Sequence, residues 1–306
     1  MMHKKNTYLS FIALLSFFGV TGFVFGALNV PLQTNAQEQS ASAIIATVPI
    51  SPFIDTTLTA KSAYVFDITK DEAVFTKNET TQLPLASVAK IAVVLLATTY
   101  LESDDVITIT KKSLLPEGDW GFSIGELWRA QDLIDYTLMT SSNDGAAALA
   151  ESIEISAGKD IVTLLNEQAK DLGMTQTFFL NETGLDSSTS LAGAYGSAQD
   201  ISILLTYAYK TAPNAFVATA TSKRDFRNLS NDTVYEAVNT NKAIAQLPGL
   251  VFGKTGFTDL AGGNLAIVTE TEPGHPFVIV VLGSTVPERF IDVVALTRVI
   301  LGEVTD

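Results

Sequence analysis

Three short stretches hold residues whose types and spacing could perform chemistry. In "PLASVAKIAVVLLA", residues 84–97, Ser87 stands three residues before Lys90 at the mouth of an apolar run. "MTSSNDGAAALAE" supplies Ser141 and Asn143 in an S-x-N pattern, and "VFGKTGFTDLAGGN" supplies Lys254, Thr255 and Gly256. A serine hydroxyl needs a base to act as a nucleophile, and a lysine serves as that base only if its pKa falls toward neutrality. On a helix, positions i and i+3 are neighbours about 5–6 Å apart at Cβ, so Ser87 and Lys90 are within hydrogen-bonding reach. The positive end of the helix dipole, desolvation by "IAVVLLA" and a second cation nearby would each lower the lysine pKa.

Each stretch alone has an ordinary structural reading. An S-x-x-K spacing is expected about once by chance in a chain of this length, and Ser156 to Lys159 is a second copy whose glycine marks a helix end. Ser87 by itself reads as an N-cap or first-turn residue, "SSND" as another N-cap and "KTG" as a hairpin turn. The weight on Ser87 comes from its company.

The elements that must position these residues follow from periodicity. "SAYVFDI" and "AVFTKN" flank "TKDE" and predict a hairpin. A helix should begin near Ser87, and "GELWRAQDLIDYTLM", residues 125–139, has a helical period. "GAAALAESIEIS", "KDIVTLLNEQAKDLG" and "SAQDISILLTYAYKTAP" predict three more helices. Strands return in "TVYEAVNT", "LVFGKTG", "GNLAIVTE" and "FVIVVLGS", and a closing helix starts near Pro287. Strands at both ends with helices between them do not make a βαβ repeat. The expected fold is α/β of the α+β type: an antiparallel β-sheet, flanked by helices, whose first and last thirds come together around an inserted all-helical lobe. The cleft between sheet and lobe is the natural site.

Composition narrows the chemistry. Of the 306 residues 47% are hydrophobic and 17% charged, enough to bury a large core. The absence of cysteine excludes disulfides, thiolate metal sites and a cysteine nucleophile. Of the two histidines, His3 precedes the first apolar segment and His275 sits in "TEPGHPF", which reads as a solvated turn between strands. A histidine metal cluster or a Ser-His-Asp arrangement is therefore disfavoured. A net charge of −14 without basic runs argues against nucleic-acid partners.

Residues 9–30 contain no charge and follow Lys4 and Lys5; the next basic residue is Lys61. At about 1.5 Å per residue this segment would span a ~30 Å hydrocarbon layer, longer than the ~7–15 residue apolar core of a signal peptide. The expected organisation is a cytoplasmic N-terminus at 1–8, a transmembrane anchor or signal segment at 9–30, a tether at 31–60 and a catalytic domain at 61–306. The catalytic domain then lies outside the cytoplasm, held to the cell membrane by its N-terminus. "SASA" at 40–43 leaves cleavage open.

The three short motifs together resemble the signature of class A β-lactamases and penicillin-binding proteins. Within that superfamily of serine β-lactamases and DD-peptidases, residues 62 to about 290 are similar to the low-molecular-mass penicillin-binding proteins that are D-alanyl-D-alanine carboxypeptidases. "LGMTQTFFLNETGL" resembles the family's G-M-x-x-T-x-F-x-N-x-x-G-L, and "KTGFTDLAGGNL" its K-T-G-x-T-x-x-A-G-x-N-L. "VLGSTVPERF" places Arg289 where the family commonly has an arginine for the substrate carboxylate.

The resemblance implies roles. Ser87 attacks the carbonyl between the last two D-alanines of a peptidoglycan stem peptide, and Lys90 is its base. Ser141 relays a proton to the leaving amine, and Asn143 holds the substrate amide and Lys90. Lys254, Thr255 and Arg289 bind the terminal carboxylate. Gly256 permits close backbone approach, and the N–H groups of Ser87 and Phe257 form an oxyanion hole. β-Lactams are the implied inhibitors, and no metal or organic cofactor is needed.

Two departures stand out. Ser142 occupies a position where many relatives have glycine, one expected to need no side chain. The C-terminal anchor domain common in the family does not follow the closing helix, and N-terminal anchoring would replace it. Rival readings are a class A-like β-lactamase, with "ETGLD" at 182–186 the nearest approach to its deacylating glutamate segment, and a DD-endopeptidase, which the same residues would serve. A third is a non-catalytic wall-binding or β-lactam-sensing module.

Overall fold

The computed structural model describes residues 53, 56–118 and 121–302. The expectations for residues 1–8 and 9–30, and for the tether up to residue 52, lie outside the described residues. Among the described residues no helix is long and apolar enough to cross a membrane. The packed chain begins upstream of the expected boundary at 61. Phe53, Leu58 and Ala60 are buried, and the Phe53 ring lies 5.0 Å from that of Phe75. The N–H groups of Thr59 and Ala60 each donate to the Asp292 carboxylate at 2.9 Å. That buried acid satisfies backbone donors which a solvated tether would leave to water.

The chain opens with the expected hairpin, β1 (Ser62–Asp67) and β2 (Glu72–Lys77), followed by a two-residue β3 (Leu83–Pro84). A 3-10 turn at Ala86–Ala89 leads into α1 (Lys90–Tyr100). Next come β4 (Val106–Thr108), β5 (Leu127–Arg129), α2 (Ala130–Thr140), α3 (Asn143–Ala157) and α4 (Ile161–Asp171). Two short strands, β6 (Phe178–Phe179) and β7 (Ala194–Gly196), precede α5 (Ala198–Thr211). The chain closes with β8 (Lys223–Arg227), β9 (Val234–Val238), β10 (Leu250–Thr258), β11 (Gly262–Glu270), β12 (Pro276–Ser284) and α6 (Glu288–Ile300).

The main sheet is antiparallel with order β10-β11-β12-β1-β2, so the first and last thirds of the chain meet where Tyr64 pairs with Val280. Side chains alternate across a strand, and here the alternation feeds two cores. Tyr64, Val278, Val280 and Leu282 face the helical lobe, whereas Ala63, Val65, Ile279 and Val281 pack beneath α6. Both faces are covered, which is why β12 reads as an unbroken apolar run and not as an alternation.

The lobe differs in detail from the expectation, because short sheets clip its helices together. β3, β7 and β6 form one sheet, β4 pairs β5, and β8 pairs β9. The helical period read over 125–139 holds only from Ala130. Leu127–Arg129 are extended because they pair with Val106–Thr108, which buries Trp128 against Phe122, Tyr136 and Tyr235. A nonlocal ladder overrides local periodicity there.

Candidate active site

Ser87 sits on the 3-10 turn, half-buried, with no side-chain capping bond at the turn's start. Ala86, just before it, has φ 49°, a left-handed conformation that costs a non-glycine residue about 1–2 kcal/mol. Its surroundings hold it there. Leu85 N–H donates to Ala194 O at 2.9 Å, and the Asn264 amide donates to both Pro84 O and Leu85 O at 3.0 Å. Gly184 lies so close that a Cβ there would stand 2.0 Å from Ala86 O, and one on Gly256 would stand 2.7 Å from Leu85 O. These two glycines let the chain close around the serine from both sides.

α1 delivers Lys90 from its first residue into a fully buried position. Its Nζ lies 2.8 Å from Ser87 Oγ, 2.8 Å from Asn143 Oδ1 and 2.7 Å from Thr183 O. Burial lowers its pKa from the ordinary 10.5 to about 7, while the charge of Glu182 pulls it back up. An ammonium donates to all three oxygens. A neutral amine donates to Asn143 and Thr183 and turns its lone pair to the Ser87 hydroxyl.

The S-x-N residues occupy the junction of α2 and α3. Ser141 ends α2 in a left-handed conformation, φ 66°, and its Oγ accepts from Lys254 Nζ at 2.9 Å. Ser142 is the N-cap of α3, its Oγ accepting from Gly145 N–H at 2.9 Å. The N-cap reading of "SSND" therefore applies to Ser142. This corrects the expectation that the position needs no side chain: Ser142 satisfies a helix donor that would otherwise be orphaned. Asn143 receives Lys90 on Oδ1 and donates Nδ2 to Glu117 O at 2.7 Å.

β10 forms the opposite wall. Lys254 and Thr255 are buried, and the Phe257 side chain is exposed. Burial, with the charges of Lys90 and Arg289 adding to it, pushes the Lys254 pKa well down. Arg289, from the first turn of α6, donates to Gly256 O at 2.7 Å, and burial lowers it to about 10, so it keeps its charge at neutral pH. Three basic side chains, Lys90, Lys254 and Arg289, thus converge here, and burial together with their mutual repulsion leaves Arg289 as the one of the three that is fully charged at neutral pH. Of the nine expected site residues, hydrogen bonds join Ser87 and Asn143 to Lys90, Ser141 to Lys254, and Arg289 to Gly256, while Thr255 and Phe257 flank Gly256 on β10.

Sequence reasoning missed four participants. Thr183 and Glu117 act through backbone carbonyls, which no residue type advertises. Asp186, in the "ETGLD" stretch, accepts from Thr258 Oγ1 at 2.9 Å and Leu260 N–H at 3.2 Å, tying that loop to the end of β10. Thr240 stands 2.6 Å from the Thr255 hydroxyl. His275 also differs from the expected solvated turn residue: its ring stacks on Phe277, and Nε2 lies 2.8 Å from the buried Asp67 carboxylate. That pair sits at the end of β12 opposite Ser284, away from Ser87.

This cleft stands on a chain whose residues 47–286 match the peptidase S11 family, D-alanyl-D-alanine carboxypeptidase. The chain belongs to this family. It is 29% identical over 238 residues to D-alanyl-D-alanine carboxypeptidase DacF of Bacillus subtilis (strain 168), covering 75% of this chain and 59% of that one. The chain therefore spans less than two thirds of that relative's length. It is 28% identical over 250 residues to the D-alanyl-D-alanine endopeptidase of Escherichia coli (strain K12), covering 79% and 75% of the two chains. Among solved structures it resembles penicillin-binding protein D2 from Listeria monocytogenes in its ampicillin-bound form. There the TM-score is 0.69 at 26% identity, covering 79% of this chain and 97% of that one.

Proposed function

We propose that this S11 family member is a serine-type D-alanyl-D-alanine carboxypeptidase that trims peptidoglycan stem peptides outside the cytoplasm through a Ser87 acyl-enzyme. The observation that carries this reading is Lys90 Nζ at 2.8 Å from Ser87 Oγ, fully buried and with its pKa brought to about 7. Neutral Lys90 takes the Ser87 proton as Oγ adds to the carbonyl of the penultimate D-alanine. The tetrahedral oxyanion is held by the N–H groups of Ser87 and Phe257; losing one donor from such a hole typically costs about 10²–10³ in rate. Collapse breaks the C–N bond, and the proton held by Lys90 passes through the Ser141 hydroxyl, which accepts from Lys254, to the departing amine of D-alanine, leaving Lys90 neutral again. Lys90 then takes a proton from the water that adds to the ester carbonyl and returns it to Ser87 Oγ as the acid leaves.

Arg289 supplies the lasting positive charge for the terminal carboxylate, and a bound carboxylate would draw Lys254 back toward its protonated form. Thr255 adds a hydroxyl donor. Asn143 holds Lys90 through Oδ1, and of the two Nδ2 hydrogens one donates to Glu117 O, so the other is the one it would offer the substrate amide. The ampicillin-bound form of the Listeria relative supports β-lactams as ligands of this chain, and Ser87 is the residue they would acylate. The relatives named endopeptidases, in Escherichia coli and Pseudomonas aeruginosa, favour cleavage of peptide crosslinks as the second reading. In this proposal residues 9–30 hold the enzyme to the membrane and the described domain acts beyond it.

The test is intact mass after mixing with benzylpenicillin, alongside D-alanine release from a stem-peptide substrate. A persistent adduct mapping to Ser87, absent in Ser87→Ala, together with D-alanine release, supports the reading. Adduct formation in Ser87→Ala would refute the nucleophile. Rapid drug hydrolysis without an adduct would indicate a β-lactamase.

A further inference from the structure

Thr240 follows β9 and belongs to none of the three motifs. Its backbone is fixed on both sides. Its N–H donates to Met139 O at 3.0 Å, two residues before Ser141. Neighbouring Asn239 donates to Thr219 O at 2.8 Å and Thr221 O at 2.9 Å, and its own oxygen accepts from Asn241 N–H at 2.8 Å. So held, the Thr240 hydroxyl has two partners: Thr255 Oγ1 at 2.6 Å and, more weakly, Met139 O at 3.3 Å.

A threonine hydroxyl carries one proton, so the pair has two arrangements. In one, Thr240 donates to Met139 O and Thr255 spends its proton on Thr240. In the other, Thr240 donates to Thr255, and the Thr255 proton is released toward the cleft. Only the second lets Thr255 donate to an anion, and donation from Thr240 strengthens it, because hydrogen bonds in a chain polarise one another.

We propose that Thr240 is a positioning residue that makes Thr255 a donor to the substrate carboxylate through a Thr240-to-Thr255 hydroxyl relay. The inference rests on the carboxypeptidase reading above. Binding of the carboxylate selects the second arrangement, and the 3.3 Å contact to Met139 O is the resting alternative that is given up. No bond to substrate is made by Thr240 itself. Its backbone bond to Met139 also joins the wall that carries Ser141 to the wall that carries Thr255, so the relay spans the cleft.

The experiment is a mutant cycle on the full chain, read as kcat and KM for D-alanine release from a diacylated tripeptide ending in D-Ala-D-Ala. Thr240→Ala is expected to lower kcat/KM about tenfold, the scale of one hydrogen bond to a charged group, chiefly through KM, and Thr240→Ser to restore it. In a Thr255→Val background, Thr240→Ala should cost nothing further, since its only route of action is gone. Thr240→Val, which keeps the volume, is measured in the same cycle, so that loss of fold in one variant leaves the other to decide. An equal cost in both backgrounds would mean a merely structural role and overturn the relay. Wild-type rates in Thr240→Ala and Thr240→Val would overturn it while the peptidase reading stands. If the wild-type protein releases no D-alanine, the peptidase reading falls and the relay with it.

Discussion

Titrating Lys90 tests the site most directly. A lysine at the ordinary pKa of 10.5 would be neutral in about 1 molecule in 3000 at pH 7, whereas at about 7 half of the molecules carry the free base. Burial therefore supplies about three orders of magnitude in reactive enzyme, within the 10²–10⁴ range that a positioned general base contributes. The sign follows from the role. Protonated Lys90 cannot accept the Ser87 proton, so acylation should fall tenfold per pH unit below about 7 and level off above it. At pH 5 the rate should be about 1% of the plateau. The assay is the second-order rate of acylation by benzylpenicillin from pH 5 to 9, read by quenched intact mass, since the drug's carboxylate stays ionised throughout. Lys90→Met should remove the limb and lower the plateau by roughly 10²–10⁴. Glu182→Gln, which removes the charge that pulls Lys90 up, should move the limb to lower pH. A rate constant that is flat from pH 5 to 8, or half-maximal near 10, would refute the assignment of Lys90 as base.

Three further perturbations read the scaffold. Gly184→Ala places a Cβ at 2.0 Å from Ala86 O at a residue with φ 76°, so it should displace the serine turn. Acylation should then drop at least about tenfold and stability by roughly 1–3 kcal/mol; an unchanged rate would show that the close approach does not position Ser87. Ser142→Ala should lower stability by about 1 kcal/mol, seen as a shifted urea midpoint at constant slope, with Ser142→Gly costing less. Asp292→Ala strands the N–H groups of Thr59 and Ala60 and the Ser284 hydroxyl, which it accepts at 2.9, 2.9 and 2.7 Å. A loss of about 3 kcal/mol is expected, with faster proteolysis near residue 60; wild-type protection there would count against the role given to Asp292.

The short motifs were legible because each carries its chemistry in residue type. Ser87 and Lys90 are three apart at a helix start, and no fold is needed to see that they can meet. The long strands β10, β11 and β12 were legible for a related reason: their apolar runs reflect burial on both faces. By contrast, Thr240 looked like the end of a strand, and Leu127–Arg129 looked helical. What defines those residues is a partner 15 positions away in one case and a ladder to Val106–Thr108 in the other.

The sequence by itself determined the nucleophile candidate, its base, the two companion motifs and the order of the main elements, because these depend on local spacing and on the side chains themselves. Only the tertiary structure decided that the Lys90 pKa falls to about 7, because the fall comes from the desolvation of a buried amine whose three oxygen partners lie up to 93 positions away. It also decided that Ala86 and Ser141 are held left-handed. Backbone strain of that kind persists only where distant contacts, such as Asn264 to Leu85 and Lys254 to Ser141, leave the chain no other arrangement.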